Sequence, residues 1–275
     1  MSLFTVDREK CKRDGICVDE CPLRIIEMKD ENSVPTPVEG AERSCISCGH
    51  CVAVCPTSAI SLSVMKPEDC PAVYKKMLLG PERAEHFLRS RRSIRTYKNK
   101  EIERDSLIKI IDVARYAPTG SNSQQVGWLV INSRDRVRAL SGIAIDWMRS
   151  LVNEKNPVAQ KYRMTGIVSA WDAGIDLICR GAPGLVVTHA PRDYTVAQVD
   201  CAIALTFFDL AAPSFNLGTC WAGFFMIAAS HWPPLKQALS LPEGHECFGA
   251  MMVGYPKYRY HRLPLRKKAR VTWQE

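Results

Sequence analysis

Cys45-Ile46-Ser47-Cys48-Gly49-His50-Cys51-Val52-Ala53-Val54-Cys55-Pro56 places four cysteines in eleven residues at the spacing C-x2-C-x2-C-x3-C-P. That run suits cubane [4Fe–4S] chemistry. Three thiolates two residues apart on a tight loop reach three corners of one cube, and the fourth cysteine sits where the chain turns away toward another centre. Gly49 lets the backbone wrap closely around inorganic sulfide. A four-cysteine zinc site is the alternative, but zinc ordinarily takes two separated C-x2-C knuckles rather than one dense run. The run therefore predicts iron–sulfur.

Upstream, Cys11-Lys12-Arg13-Asp14-Gly15-Ile16-Cys17-Val18-Asp19-Glu20-Cys21-Pro22 repeats the same template with Asp14 in place of the second cysteine. Gly15 then aligns with Gly49, and each half leads from Cys-Pro into apolar β-prone residues, so the segment reads as an internal repeat. The two halves resemble a two-cluster bacterial ferredoxin. That resemblance implies one cluster on Cys45, Cys48, Cys51 and Cys21, and a second on Cys11, Cys17 and Cys55 with Asp14 at the fourth position. A carboxylate ligates iron more weakly than a thiolate. The second centre is thus open between an Asp14-ligated [4Fe–4S] cubane, a [3Fe–4S] cluster, and a loop in which Asp14 is solvated. Such modules usually conduct single electrons; a structural or sensing cluster is the other reading.

The other five of the twelve cysteines, Cys70, Cys179, Cys201, Cys220 and Cys247, are scattered singly, and the sequence gives them no role. Clustered cysteines point to metal rather than to a secreted disulfide scaffold. The N-terminus has no basic-then-apolar signal pattern, and no stretch approaches the roughly 18 uncharged apolar residues of a membrane span. A cytoplasmic protein without membrane contact is expected.

The chain of 275 residues is expected to hold an iron–sulfur domain over 1–66, a linker over 67–83 and a larger domain over 84–275. In the larger part, Asp105–Tyr116 carries Leu107, Ile110, Ile111 and Ala114 on one helical face. Val158–Cys179 reads as mostly helical. Gln198–Ala212 reads as a central helix, apolar nearly all round but interrupted by Asp209. Trp128–Asn132, Gly184–His189, Ala222–Met226 and Phe248–Val253 read as strands. The fold class is α+β. No G-x-G-x-x-G comes after a strand and no P-loop occurs, so a Rossmann site has no support.

Four segments, in order over about residues 84–265, resemble the nitroreductase family of FMN enzymes. Ser90-Arg91-Arg92-Ser93-Ile94-Arg95 is similar to the family's R-x-S-x-[RK] segment, which implies Arg91, Arg92, Ser93 and Arg95 at the flavin phosphate, ribityl chain and ring edge. Ala117-Pro118-Thr119-Gly120-Ser121-Asn122-Ser123-Gln124-Gln125 resembles a loop that the partner subunit contributes, implying Pro118, Thr119, Gly120, Asn122 and Gln124. Asn216-Leu217-Gly218-Thr219-Cys220-Trp221-Ala222-Gly223 is similar to a strand whose backbone N–H groups meet flavin N5 near Ala222 and Gly223. Gly254-Tyr255-Pro256 with the later Arg262-Leu263-Pro264 resembles the closing motif, with Arg262 at the phosphate, while Lys257 and Arg259 read as solvated. The resemblance implies a central sheet flanked by helices, an intertwined homodimer and FMN.

The formal charge is +8. Thiolate-held clusters and an FMN phosphate add about five negative charges, so the charge balance needs no nucleic acid. The motifs together predict an FMN- and iron–sulfur-dependent oxidoreductase that reduces a small organic acceptor such as a nitroaromatic, quinone or enone, with NAD(P)H or a ferredoxin as donor. The rival readings are an electron-transfer module serving protein partners and a dehydrogenase that exports electrons through the clusters. No histidine sits in a motif for a catalytic base, and no residue is assigned as catalytic, because the cofactor carries the hard step.

Overall fold

The computed structural model describes residues 3–274. It divides into a first unit running to Leu78, which also takes in Ser121–Ser123, and a second unit of Leu79–Gly120 and the chain from Gln124 onward.

The first unit holds β1 (Phe4–Val6), α1 (Ile16–Asp19), β2 (Ile26–Glu27), β3 (Thr36–Pro37), α2 (Ala41–Ser44), α3 (His50–Val54) and β4 (Ile60–Leu62). β1 pairs antiparallel with β4, Phe4 opposite Leu62, and β2 with β3, Ile26 opposite Pro37. The sequence repeat is also a backbone repeat. Arg13, Gly15 and Arg24 stand at φ 56°, 70° and 52°, and Ser47, Gly49 and Ser58, each thirty-four positions on, at 51°, 72° and 54°. Gly15 and Gly49 sit just before α1 and α3 in the left-handed region, where a Cβ is strained. Three of the ten residues in the buried core are Cys17, Cys21 and Cys51; the others include Phe4, Ile25, Ile60 and Leu62.

The second unit holds α4 (Pro81–Ser90), α5 (Arg104–Ala114), β5 (Gly127–Ile131), α6 (Arg134–Asn153), α7 (Pro157–Lys161), α8 (Met164–Asp172), β6 (Gly184–Pro191), α9 (Ala197–Ala211), β7 (Gly218–Trp221), α10 (Gly223–His231), α11 (Pro233–Leu239) and β8 (His245–Gly254). The strands form one antiparallel sheet in the order β5-β6-β8-β7. Side chains alternate across it as the pleat requires. Leu185, Val187, Ala250 and Met252 join a core with Leu140 and Met148 of α6 and Phe225 of α10. Val186, Met251 and Val253 join the opposite core with Leu107 and Ile110 of α5 and Leu205 and Phe208 of α9. The unit is thus a sheet between two helical layers, and the α+β class stands.

Three expectations change. Ala222–Met226 is not a strand. The strand lies earlier, over Gly218–Trp221, and its last bond to β8 runs from Ala222 N to Ala250 O (2.9 Å). The chain then coils into α10, burying Phe225, Ala228 and Ala229 at helical spacing. A short all-apolar run carries no period to separate the two states. Val158–Cys179 is not continuous helix. Arg163 sits at φ 52° between α7 and α8, and beyond α8 the Asp176 carboxylate accepts from the N–H groups of Ile178, Cys179 and Gly181 (2.8, 2.9 and 3.1 Å). That carboxylate gives the backbone partners a helix would have supplied. Finally, α4 starts at Pro81, within the segment read as linker, with proline at its first helical position.

His189, on β6 at a register shift against β8, lies with Nδ1 2.9 Å from His245 Nδ1. Burial, and then the neighbouring His245, lower its pKa below the ordinary value. The unfolded chain therefore binds this proton more readily than the native one, so stability falls as pH drops through about 6.5. All six tryptophans come after residue 120, so tryptophan fluorescence reads the second unit alone. Its urea midpoint is expected to fall between pH 7.5 and 5.5, and His189→Gln to flatten that slope. An unchanged slope in the variant removes His189 as the cause.

Candidate redox sites

In the first unit Cys21, Cys45, Cys48 and Cys51 line one cavity, walled by Phe4, Ile25, Ile26 and Leu62. Cys11, Asp14, Cys17 and Cys55 line a second, whose wall includes Lys12, Arg13 and Thr57. The chain thus brings together both sets of four, and none of these thiols is in a disulfide. Burial pushes the Cys17 and Cys51 thiols up to about 11, so a bare thiolate is disfavoured there. For Cys55 burial acts upward, but hydrogen bonds from the Ala59 and Thr57 backbone outweigh it and the thiol is lowered; Ala59 N lies 3.2 Å from its sulfur. Asp14 Oδ1 accepts from Ile16 N at 3.3 Å, closing the turn into α1. Hydrogen bonds of this kind orient ligands and tune an iron–sulfur centre.

Asn122 also belongs to the first unit, where its Nδ2 donates to the carbonyls of Ile46 (3.0 Å) and Ser47 (3.2 Å). This side chain is engaged on the Cys45–Cys48 loop.

In the second unit, Arg91 comes directly after α4, and the next residues run beside β7, with Ile94 N bonded to Thr219 O at 2.8 Å. Arg91 Nη1 reaches Asp209 Oδ2 at 3.4 Å, and the other oxygen of Asp209 accepts from the Thr219 hydroxyl. Arg92 Nη2 donates to Arg89 O (2.7 Å), while its Nε is buried without a partner. Ser93 is half-buried, and Arg95 Nη1 lies 3.4 Å from Ser93 O. Arg91, Arg92, Asp209, Thr219 and Arg259 line a cavity of about 350 Å³. Arg259, read from sequence as solvated, is exposed and also borders the cavity; Arg262 is exposed in the segment past Pro256 and is not among the lining residues.

Pro118, Thr119, Gly120 and Gln124 lie in the loop after α5, which Gln124 N closes on Thr119 Oγ1 (3.0 Å). Ala222 and Gly223 form the junction of β7 and α10, a helix start without a side-chain cap. Its first N–H groups point out of the helix with no intrahelical acceptor, and a Cβ on Gly223 would meet nothing within 4 Å. Cys220, Cys179, Cys201 and Cys247 are buried; burial pushes the last three thiols up to about 12, 11 and 12. They behave as small core residues. Asp209 is a cavity residue that the sequence motifs did not include. The one signal for Asp209 was an acid inside an apolar helix.

Two cavities lined by clustered cysteines on a repeated small module, joined in one chain to a sheet-and-helix unit with an arginine-lined cavity, have the layout of a multicentre redox protein. The match to known proteins makes this specific. Residues 88–255 match the model of the nitroreductase family and residues 4–56 that of a 4Fe-4S dicluster domain. The chain belongs to the nitroreductase family, as an oxidoreductase with an N-terminal ferredoxin-type domain. An FMN reductase (NAD(P)H) of Bacillus subtilis is 26% identical over 190 residues, 68% of this chain and 72% of its own length. An uncharacterized ferredoxin of Methanocaldococcus jannaschii is 42% identical over 64 residues, 23% of this chain and 80% of its own. The fold of the second unit is shared with a nitroreductase from Bacteroides fragilis solved with bound FMN, at a TM-score of 0.54 and 22% identity, covering 70% of this chain and 98% of that one. No helix among the described residues is long and apolar enough to cross a membrane.

Proposed function

We propose that this chain is an FMN-dependent oxidoreductase that couples single electrons carried by two iron–sulfur clusters to reduction of a small organic acceptor, with a nitroaromatic, quinone or enone as the substrate class. The observation that carries this reading is the presence, in one chain, of two cavities, one lined by four cysteines and the other by three cysteines and Asp14, and of a nitroreductase unit.

The residues present suit FMN. The buried, unpartnered Nε of Arg92 is an orphaned donor, and such a donor is costly unless a ligand satisfies it. Arg91 and Arg92 hold the phosphate, with Arg262 or Arg259 as a further cation. Ser93 and Arg95 serve the ribityl chain and ring edge. Ala222 N–H is held by Ala250 O, so at this junction the Gly223 N–H is the donor to the flavin ring, where an uncapped helix start favours an acceptor. The loop of Pro118, Thr119, Gly120 and Gln124 supplies further polar contacts, and Asn122 supports the cluster loop through its amide. Cys21, Cys45, Cys48 and Cys51 hold one cluster; Cys11, Cys17, Cys55 and Asp14 hold the other. Bound FMN exchanges electrons singly or in pairs, and the clusters singly, so the protein itself binds, orients and shields.

A homodimer fits the exposed apolar residues Ile108, Val113 and Tyr116 at and beyond α5 and Val199 on α9. Light scattering at micromolar concentration tests it, and a monomer would overturn it.

The function is tested by adding NADPH, NADH and then reduced ferredoxin to the anaerobic holo-protein in a stopped-flow instrument. Flavin bleaching by a pyridine nucleotide makes that nucleotide the donor. Cluster bleaching by ferredoxin ahead of the flavin makes the first unit the inlet. The reading fails if no acceptor of the three classes reoxidises the reduced protein faster than it reoxidises free FMN.

A further inference from the structure

The loop after α5 is conformationally costly. Ser121, Asn122 and Gln124 stand at φ 50°, 52° and 52°, three non-glycine residues in the left-handed region within four positions. Each is strained by its Cβ, and the conformation persists only where the surroundings impose it. Gln124 N bonds Thr119 Oγ1, and the residue between Thr119 and Ser121, Gly120, is itself held from the second unit. Asp200, in the first turn of α9, is 3% exposed, and its two carboxylate oxygens lie 3.2 and 3.0 Å from the Gly120 N–H. The Tyr194 hydroxyl donates to Oδ2 of the same carboxylate, and its oxygen lies 3.4 Å from Gly120 O. The Thr119–Gly120 peptide is thus held through its N–H by Asp200, with the Tyr194 hydroxyl bound to that carboxylate and lying beside the Gly120 carbonyl. Val196 fills the space beside it so closely that a Cβ on Gly120 would lie 2.6 Å from Val196 Cγ2.

Asp200 makes no ion pair among the described residues. A buried carboxylate held by one backbone N–H and one phenol is a poor device for stability, because its desolvation is not offset by a cation. It is a good device for fixing one peptide. Both of its oxygens accept, so it has no donor to repel the Gly120 N–H, whereas an asparagine would present an NH2 group to one of the two donors.

We propose that Asp200, with Tyr194, is a positioning residue for the flavin: it fixes the backbone of Gly120 and through it Thr119 and Gln124, the neighbouring residues that the FMN reading places at the cofactor. This rests on the FMN reading above. Asp200 itself touches no cofactor.

The test is FMN affinity of Asp200→Asn and Tyr194→Phe, read by flavin fluorescence quenching, beside the urea midpoint from tryptophan fluorescence and the visible circular dichroism of bound FMN. The titrations are run well below the unfolding transition of every variant. Asp200→Asn is expected to raise the dissociation constant about tenfold, the loss of one charge-assisted hydrogen bond, and to alter the dichroism of the flavin that still binds. Tyr194→Phe, which leaves the carboxylate in place, is expected to raise it about threefold. A purely structural role predicts a lowered urea midpoint with wild-type affinity and dichroism in the folded protein, and that result overturns the proposal. Should Asp200→Asn not fold, wild-type affinity and dichroism in Tyr194→Phe overturn it instead. Failure of the wild type to bind FMN at all would defeat the FMN reading rather than this one.

Discussion

Cys51→Ala is expected to lose both clusters, not one, and with them the fold of the first unit. Cys51 is 8% exposed, and with Cys17 and Cys21 it is part of a single ten-residue core. Without the cysteines that core is seven apolar side chains, among them Ala41 and Val52. A module of this size buries too little surface to stand on its apolar core, and metal ligation is what closes it. Because binding and folding of a metal-stapled module are one equilibrium, losing the Cys51 corner loosens the turns that carry Cys17 and Cys55 as well. Iron per chain is expected to fall below about a tenth of the wild-type value rather than to about a half. Limited proteolysis should then remove residues up to about Leu78 while the second unit, with its own two cores, stays intact. A variant that retains half its iron and resists protease throughout the first unit would show that the two halves of the repeat fold independently, and the single-core account would be wrong.

The parts of this molecule that were legible in the sequence are those whose chemistry is local. Cluster ligands must sit at fixed short spacings, so the run from Cys45 to Cys55 announces itself, and the repeat that aligns Asp14 with Cys48 reappears as matching φ angles thirty-four residues apart. β6, β8, α5 and α9 were readable because their apolar patterns are long enough to show length or period. The errors have equally local causes. Ala222–Met226 is apolar at every position, and only pairing with β8 decides that the strand stops at Trp221. In Val158–Cys179 the helix stops at Gly174, at φ 86°, whose N–H bonds Trp171 O while Ile175 N bonds Ala170 O; that glycine was in the sequence, but nothing there announces that Asp176 will then take three backbone N–H groups. Arg259 and Arg262 are separated by contacts, not by motif. Lys257 N bonds Thr96 O at 3.1 Å, which holds the start of the C-terminal segment beside the chain that carries Arg91 and Arg92 and brings Arg259 to the cavity wall. Asp200 and Asp209 are the largest omission. Each was visible as an acid in an apolar helix, but the sequence could not say which distant backbone or guanidinium it served.

Arg91→Ala is expected to act twice, and the two effects can be separated. Its first consequence is on the cofactor. If Arg91 makes charge-assisted contacts to the FMN phosphate, their loss raises the dissociation constant about a hundredfold, equivalent to about 3 kcal/mol. Its second is on the protein. Asp209, with its side chain 8% exposed, keeps the Thr219 hydroxyl but loses its cation, and a carboxylate stranded in that way is destabilising. The cost is about 2 kcal/mol, below the range for fully buried pairs, because the Arg91 side chain remains 30% exposed and its partner distance is 3.4 Å. The double variant Arg91→Ala/Asp209→Asn separates these terms. Removing the charge at 209 relieves the stranded carboxylate, so the urea midpoint should return most of the way to wild type. It supplies nothing for a phosphate, so FMN affinity should stay about a hundredfold weak. If affinity recovers together with stability, Arg91 matters to the flavin only through the fold, and the phosphate contact has to be given to Arg92 and Arg259 instead.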